Sequence, residues 1–143
     1  VQRMTAGTGI RHSEVNASRT MPVHFLQIWI LPERAGLQPS YQQKHFPAPE
    51  RIDRLRLVAD RHGTGGALTV HQDIRLYAGQ LTAGGALELP LQAGRYGWLQ
   101  VATGALTIQG QSVLEGDGVL VGEQGRLLIS TTTPAQVLWF DLA

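Results

Sequence analysis

From Leu55 onward the chain alternates short apolar runs with glycine-containing breaks: 55–59, 67–77, 79–89, 96–103, 105–108, 118–121, 127–130 and 136–142. Runs of this length, with turn residues recurring about every 8 to 12 positions, predict an all-β antiparallel sandwich or barrel. The run Leu68-Thr69-Val70-His71-Gln72-Asp73-Ile74-Arg75-Leu76-Tyr77 has two faces if it is one strand. Leu68, Val70, Gln72, Ile74 and Leu76 share one, and Thr69, His71, Asp73, Arg75 and Tyr77 share the other, polar one.

The first part of the chain has a different texture. A short strand-like run, a Thr5-Ala6-Gly7-Thr8-Gly9 turn and an alternating run over 10–15 are followed by a polar turn from Asn16 to Pro22. Positions 23–31 form the strongest strand candidate here, with Phe25, Gln27 and Trp29 on one face and Leu26, Ile28 and Ile30 on the other. Apolar residues on both faces predict burial on both sides. Positions 32–49 lose periodicity and read as a linker, with one helical turn over 49–54 where Pro49 suits the first position. The division is therefore 1–31, strands without a sheet of their own; 32–54, a linker; and 55–143, a complete domain. An isolated hairpin is marginal in water and exposes open edges. The expected remedy is a homodimer in which residues 1–31 pair across the interface or swap onto the partner.

Composition narrows the partners. The 143 residues are 43% apolar and 16% charged, with 17 glycines, which excludes a disordered chain. A net charge of +1 gives no electrostatic reason to expect nucleic acid or an anionic membrane surface. The apolar stretch near Phe25 to Leu31 is far short of the ~20 residues that span a bilayer, and no signal pattern opens the chain, so a cytoplasmic protein is expected. The chain opens on Val1 and not on methionine, so it reads as lacking its true start or as a piece of something longer. With no cysteine, any metal must be held by histidines and carboxylates.

His12-Ser13-Glu14 is the first such pair. On a strand, residues two apart point the same way and can share one ion. Fe, Ni, Cu or Mn takes three or four N/O donors, so the pair is half a site. On spacing alone, an ordinary polar strand face is the commoner use of such a pair. His71-Gln72-Asp73 reads first as a solvent-facing His–Asp–Arg hydrogen-bond network and second as a metal or acid/base site. His24, His45 and His62 sit beside turns or in the linker and read as surface residues. No Ser-His-Asp order or phosphate-binding loop is present; Gly63, Gly65 and Gly66 form a turn with no helix after it.

The segments Met4-Thr5-Ala6-Gly7-Thr8-Gly9-Ile10-Arg11-His12-Ser13-Glu14, His24-Phe25-Leu26-Gln27-Ile28-Trp29-Ile30 and Pro39-Ser40-Tyr41-Gln42-Gln43 resemble the middle of a pirin-family protein. Leu55-Arg56-Leu57-Val58-Ala59, His71-Gln72-Asp73-Ile74-Arg75-Leu76-Tyr77 and Gly116-Asp117-Gly118 resemble its C-terminal half. The resemblance implies a bicupin, two jelly-roll-like β-barrels in one chain, some members having quercetin 2,3-dioxygenase activity. It implies that this chain holds the end of an N-terminal cupin as a β-hairpin extension, a linker and a whole C-terminal cupin. In such proteins one metal, usually iron, is held by an H-x-H pair and a later H-x-E pair, and the later pair matches His12 and Glu14. The H-x-H pair has no counterpart here. His24, a weak third candidate, or a second copy would have to complete the set, and two H-x-E pairs on a two-fold axis supply four donors. The resemblance gives the His71 motif no ligand role.

Three functions follow, in this order of expectation. The first is a non-catalytic binding or interaction module that has lost half of the metal site. The second is a metal-dependent quercetin-type dioxygenase completed across a homodimer, with Fe, Ni, Cu or Mn bound and Glu14 as ligand or base. The third is a metal-independent binder of a small aromatic ligand in the C-terminal barrel, walled by Trp98, Tyr96 or Tyr77.

Overall fold

The computed structural model describes residues 1–122 and 125–143, and these form an all-β structure. Strands β1 (Gln2–Thr5) and β2 (Ser40–Gln43) make a two-stranded ribbon. Strands β3 (Leu55–Asp60), β4 (Leu68–Thr69), β5 (Ile74–Leu81), β7 (Tyr96–Thr103), β10 (Gly118–Val121) and β12 (Ala135–Leu142) form one sheet in the order β10-β7-β12-β5-β3-β4. Strands β6 (Ala86–Leu91), β8 (Ala105–Ile108), β9 (Gln111–Leu114) and β11 (Gly125–Ser130) form a second, ordered β6-β11-β8-β9. All pairings are antiparallel except β3 with β4 and the isolated bridge between Ile52 and Gln80.

Period-two alternation builds the interior between the two larger sheets. Leu87, Leu89 and Leu91 come from β6, Leu99 and Val101 from β7, Leu106 and Ile108 from β8, Ile129 from β11 and Val137 and Trp139 from β12. Burying a large apolar side chain contributes roughly 1.5–3 kcal/mol, so this cluster is the main source of barrel stability. Trp139 fits because position 97 is glycine: a Cβ there would lie 2.0 Å from the indole Cη2.

A second cluster covers the outer face of the six-stranded sheet. Val58, Ala59, Leu68, Val70, Ile74 and Leu76 are buried there with Phe46, while Ile30, Leu138, Phe140 and Leu142 pack around them. The linker and the end of the N-terminal segment therefore roof this sheet. Asp53, at φ +48°, fastens the linker by accepting from the Thr82 backbone N–H (2.9 Å) and hydroxyl (2.8 Å).

Three sequence expectations are corrected. The run 67–77 is two strands with a turn between them, because Gln72 accepts at its side-chain oxygen from the Asp73 N–H (2.7 Å) and at its carbonyl from the Ile74 N–H (2.9 Å). The run 79–89 is divided as well. Gly79 lies inside β5 with Leu87, Val137 and Leu55 side chains 3.2–3.3 Å from where a Cβ would be, and the chain turns at 82–85. Strand β9 was hidden by its polar start; it pairs with β8 through Gln109 and Gly110, both at positive φ as a tight hairpin requires.

A further correction concerns the extension. Neither 10–15 nor 23–31 is a strand, and the hairpin expected within 1–31 is replaced by β1 pairing with β2, inside the presumed linker. The physical reason is partnership. The apolar pattern of 23–31 suits a strand covered on both faces, but among the described residues the segment pairs with no strand, and Ile30 packs on one face of the six-stranded sheet. The expected helical turn over 49–54 is a single 3₁₀ turn, Ala48–Glu50.

Candidate metal centre

His12 and Glu14 lie on the long arm between β1 and β2, and both are exposed. Since this part of the arm is not a strand, no sheet register aims the two side chains at one point. His24 is exposed on the same arm. Among the described residues no three His, Asp or Glu side chains converge well enough to hold a metal ion. The described residues thus offer an imidazole and a carboxylate, two donors of the right chemistry for Fe, Ni, Cu or Mn, but not a full set.

The arm is anchored at both ends. At its base, Thr5 pairs with Ser40, and Gly7, at φ +54°, lies so close to Leu37 that a Cβ would be 2.0 Å from the Leu37 carbonyl oxygen. The polar turn expected from Asn16 is present: Asn16 Nδ2 donates to the Met21 carbonyl (2.8 Å) and its Oδ1 accepts from the Ser18 N–H (3.0 Å). At the far end, Gln72 Nε2 donates to the Leu31 carbonyl (2.9 Å), the Glu33 N–H donates to the His71 carbonyl (2.8 Å), and Arg61 pairs with Glu33 (2.7 Å). Between these anchors the arm exposes apolar side chains, with Trp29 89% exposed.

Where the arm meets the sheet, a groove of about 320 Å³ opens between Ile28, Trp29 and Leu31 on one side and Ile74, Trp98 and Phe140 on the other. This corrects the expected aromatic walls. Tyr96 and Trp98 alternate out of phase with buried Leu99 and Val101 and so face outward, and the barrel interior is filled by the core. Only Tyr77 points inward, packed against that core. Burial pushes its phenol up from the ordinary value, with nearby Arg75 opposing.

The polar face expected around His71 is also rearranged. Asp73 pairs with Arg95 (3.2 Å), Arg95 Nε contacts Asp141 Oδ1, and Asp141 Oδ2 accepts from Arg75 (3.1 Å). Burial alone would lower the Arg95 pKa, but Asp141 and then Asp73 outweigh it and hold the guanidinium above its ordinary value. Two cations meet two anions, so this end of the barrel is closed by a neutral network. The sequence reading missed Arg95 and Asp141, although a signal existed: Asp141 falls in phase with the inward residues Val137 and Trp139.

Residues 57–142 match the profile of the quercetinase C-terminal cupin domain, and residues 1–30 match the pirin profile. The chain belongs to the pirin family. The pirin chain is 39% identical over 141 residues to the quercetin 2,3-dioxygenase of Escherichia coli K12, an alignment covering 99% of this chain and 60% of that protein. The crystal structure of Escherichia coli YhhW superposes with a TM-score of 0.88 at 39% identity, covering 99% of this chain and 59% of that one. A structure of the bacterial pirin YhhW in complex with nickel(II) superposes at 0.86 with 38% identity, covering 99% and 60%. The pirin chain therefore spans about 60% of the length of these relatives. Among its described residues no helix is long and apolar enough to cross a membrane.

Proposed function

We propose that this chain acts in a metal-dependent oxygenase of the quercetin 2,3-dioxygenase type, with His12 and Glu14 as two of the metal donors. On this reading the remaining donors come from a second copy that meets the first on a two-fold axis. The observation that carries this reading is the placement of the His-x-Glu pair on an exposed arm, where it is accessible to such a partner. Two pairs give two imidazoles and two carboxylates, a set suited to Fe, Ni, Cu or Mn. The quercetin 2,3-dioxygenase named among the relatives and the nickel(II) complex of a bacterial pirin support the same reading.

The test combines metal analysis with dioxygen uptake in the presence of quercetin, comparing the parent chain with His12→Ala and Glu14→Ala. Metal-dependent uptake lost in both variants is the expected result. A chain that binds none of the four metals and leaves quercetin unchanged is a non-catalytic module on a cupin scaffold, and the proposal fails.

A further inference from the structure

The motif His71-Gln72-Asp73 has no part in the metal centre proposed above, yet its contacts run in two directions. Toward the arm, the Gln72 side chain donates to the Leu31 carbonyl at 2.9 Å, and the His71 carbonyl accepts from the Glu33 N–H at 2.8 Å. Toward the barrel, the Gln72 side-chain oxygen accepts from the Asp73 N–H at 2.7 Å, and Asp73 is bound to Arg95, which is itself seated on buried Asp141. Arg61, just beyond the end of β3, adds its ion pair to Glu33. One side chain, Gln72, is fixed by its oxygen to the barrel and holds the arm by its nitrogen.

We infer that this turn is a clasp that locks the far end of the arm to one end of the barrel, making Gln72 a positioning residue for the arm that carries His12 and Glu14. Its role toward the metal rests on the function proposed above; the clasp itself does not. The base of the arm is set by β1, β2 and Leu37, so a chain joined only there would leave the stretch between Gly7 and Leu37 free to move. The clasp turns that free chain into a loop closed at two points, and it acts on backbone groups, so it tolerates any side chain at position 31. The same turn breaks the strand that the alternating sequence predicts, which gives a physical reason for the break. An uninterrupted strand would direct the Gln72 side chain into the ladder of side chains on its own face and would leave the Leu31 carbonyl without its donor.

The test uses Gln72→Ala, which removes both ends of the clasp, and Gln72→Glu, which keeps the oxygen facing Asp73 but loses the donor to Leu31. Hydrogen exchange is followed at the Glu33 amide and at the barrel amides of Val137 and Trp139, together with trypsin cleavage after the arm residues Arg11 and Arg19. In both variants, Glu33 exchange and arm cleavage are expected to rise about five- to tenfold, the factor associated with one lost hydrogen bond, with Val137 and Trp139 unchanged. Unaltered arm protection overturns the clasp. Equal loosening of arm and barrel also overturns it, since the turn would then be an ordinary part of the barrel.

Nickel(II) titration supplies the readout that a purely structural turn would not move. If the parent chain binds nickel(II), both variants are expected to weaken that binding several-fold at the same stoichiometry. Unchanged nickel affinity with a loosened arm overturns the positioning role. A parent chain that binds no nickel(II) is evidence against the proposed function, and the exchange data then decide the clasp by themselves.

Discussion

Arg95 and Asp141 are 46 positions apart in sequence and meet at one end of the barrel, guanidinium Nε against carboxylate Oδ1, with both side chains largely buried. Arg95 enters from the turn before β7, and Asp141 comes from the last turn of the pleat in β12. Removing either ion from water is costly, so the pair persists only because each has a second partner, Asp73 for Arg95 and Arg75 for Asp141.

Removing one member should therefore cost more than the pair itself contributes. Asp141→Ala leaves buried Arg95 with half-exposed Asp73 as its one carboxylate partner, beside the backbone carbonyls of Asp73 and residue 141, and is expected to lower unfolding free energy by about 3–5 kcal/mol, read as a lower urea midpoint at constant slope. A loss under 1 kcal/mol would show that the network is solvated in solution.

The close fit of Gly97 against Trp139 gives a steric prediction. Gly97→Ala would place a methyl 2.0 Å from the indole and is expected to cost about 1–3 kcal/mol or more as the ring or strand shifts. Gly122→Ala, where nothing among the described residues lies within 4 Å, serves as the control and should change stability by less than about 0.5 kcal/mol.

Asp60 makes stability depend on acid. Burial alone would raise its carboxyl, but the Thr64 hydroxyl and the backbone N–H groups of Thr64, Gly63 and His62 outweigh that and hold it below the ordinary value of 3.8. A depressed folded value means the contribution is present above the unfolded pKa and is lost as pH falls through the folded one. Urea midpoints should fall as the pH drops below the ordinary carboxylate value, and Asp60→Asn should flatten that part of the profile. Identical acid profiles would remove Asp60 from the account of acid sensitivity.

Much of the barrel could be read because its strands alternate cleanly. Tyr96–Thr103, Ala105–Ile108 and Gly118–Val121 coincide with the expected runs, since each ends at a glycine or a turn that nothing distant overrides. The arm could not be read in the same way. The pattern of 23–31 records a strand-forming propensity, but a strand exists only where another strand supplies its hydrogen bonds, and local sequence does not contain that partner. His12 and Glu14 were legible as donor types but not as a site, because convergence depends on chain far from them. Gln72 was misread for a related reason: alternation put it on an apolar face, while its side-chain amide reaches a carbonyl 41 positions away.

The exposed arm leads to a prediction about assembly. Trp29 is 89% exposed, and monomers seldom leave such large apolar surfaces uncovered. Trp29→Asp is expected to shift a dimer toward monomer in light scattering while leaving the urea midpoint of the barrel unchanged. A parent chain that is already monomeric at tens of micromolar would contradict pairing through the arm.

The most direct measurement is metal content together with molar mass on one purified sample. Expected is a dimer carrying about one ion of Fe, Ni, Cu or Mn for every two chains, with the metal lost in His12→Ala. A metal-free sample, or a metal-bearing monomer, would contradict a site completed by His12 and Glu14 of two copies.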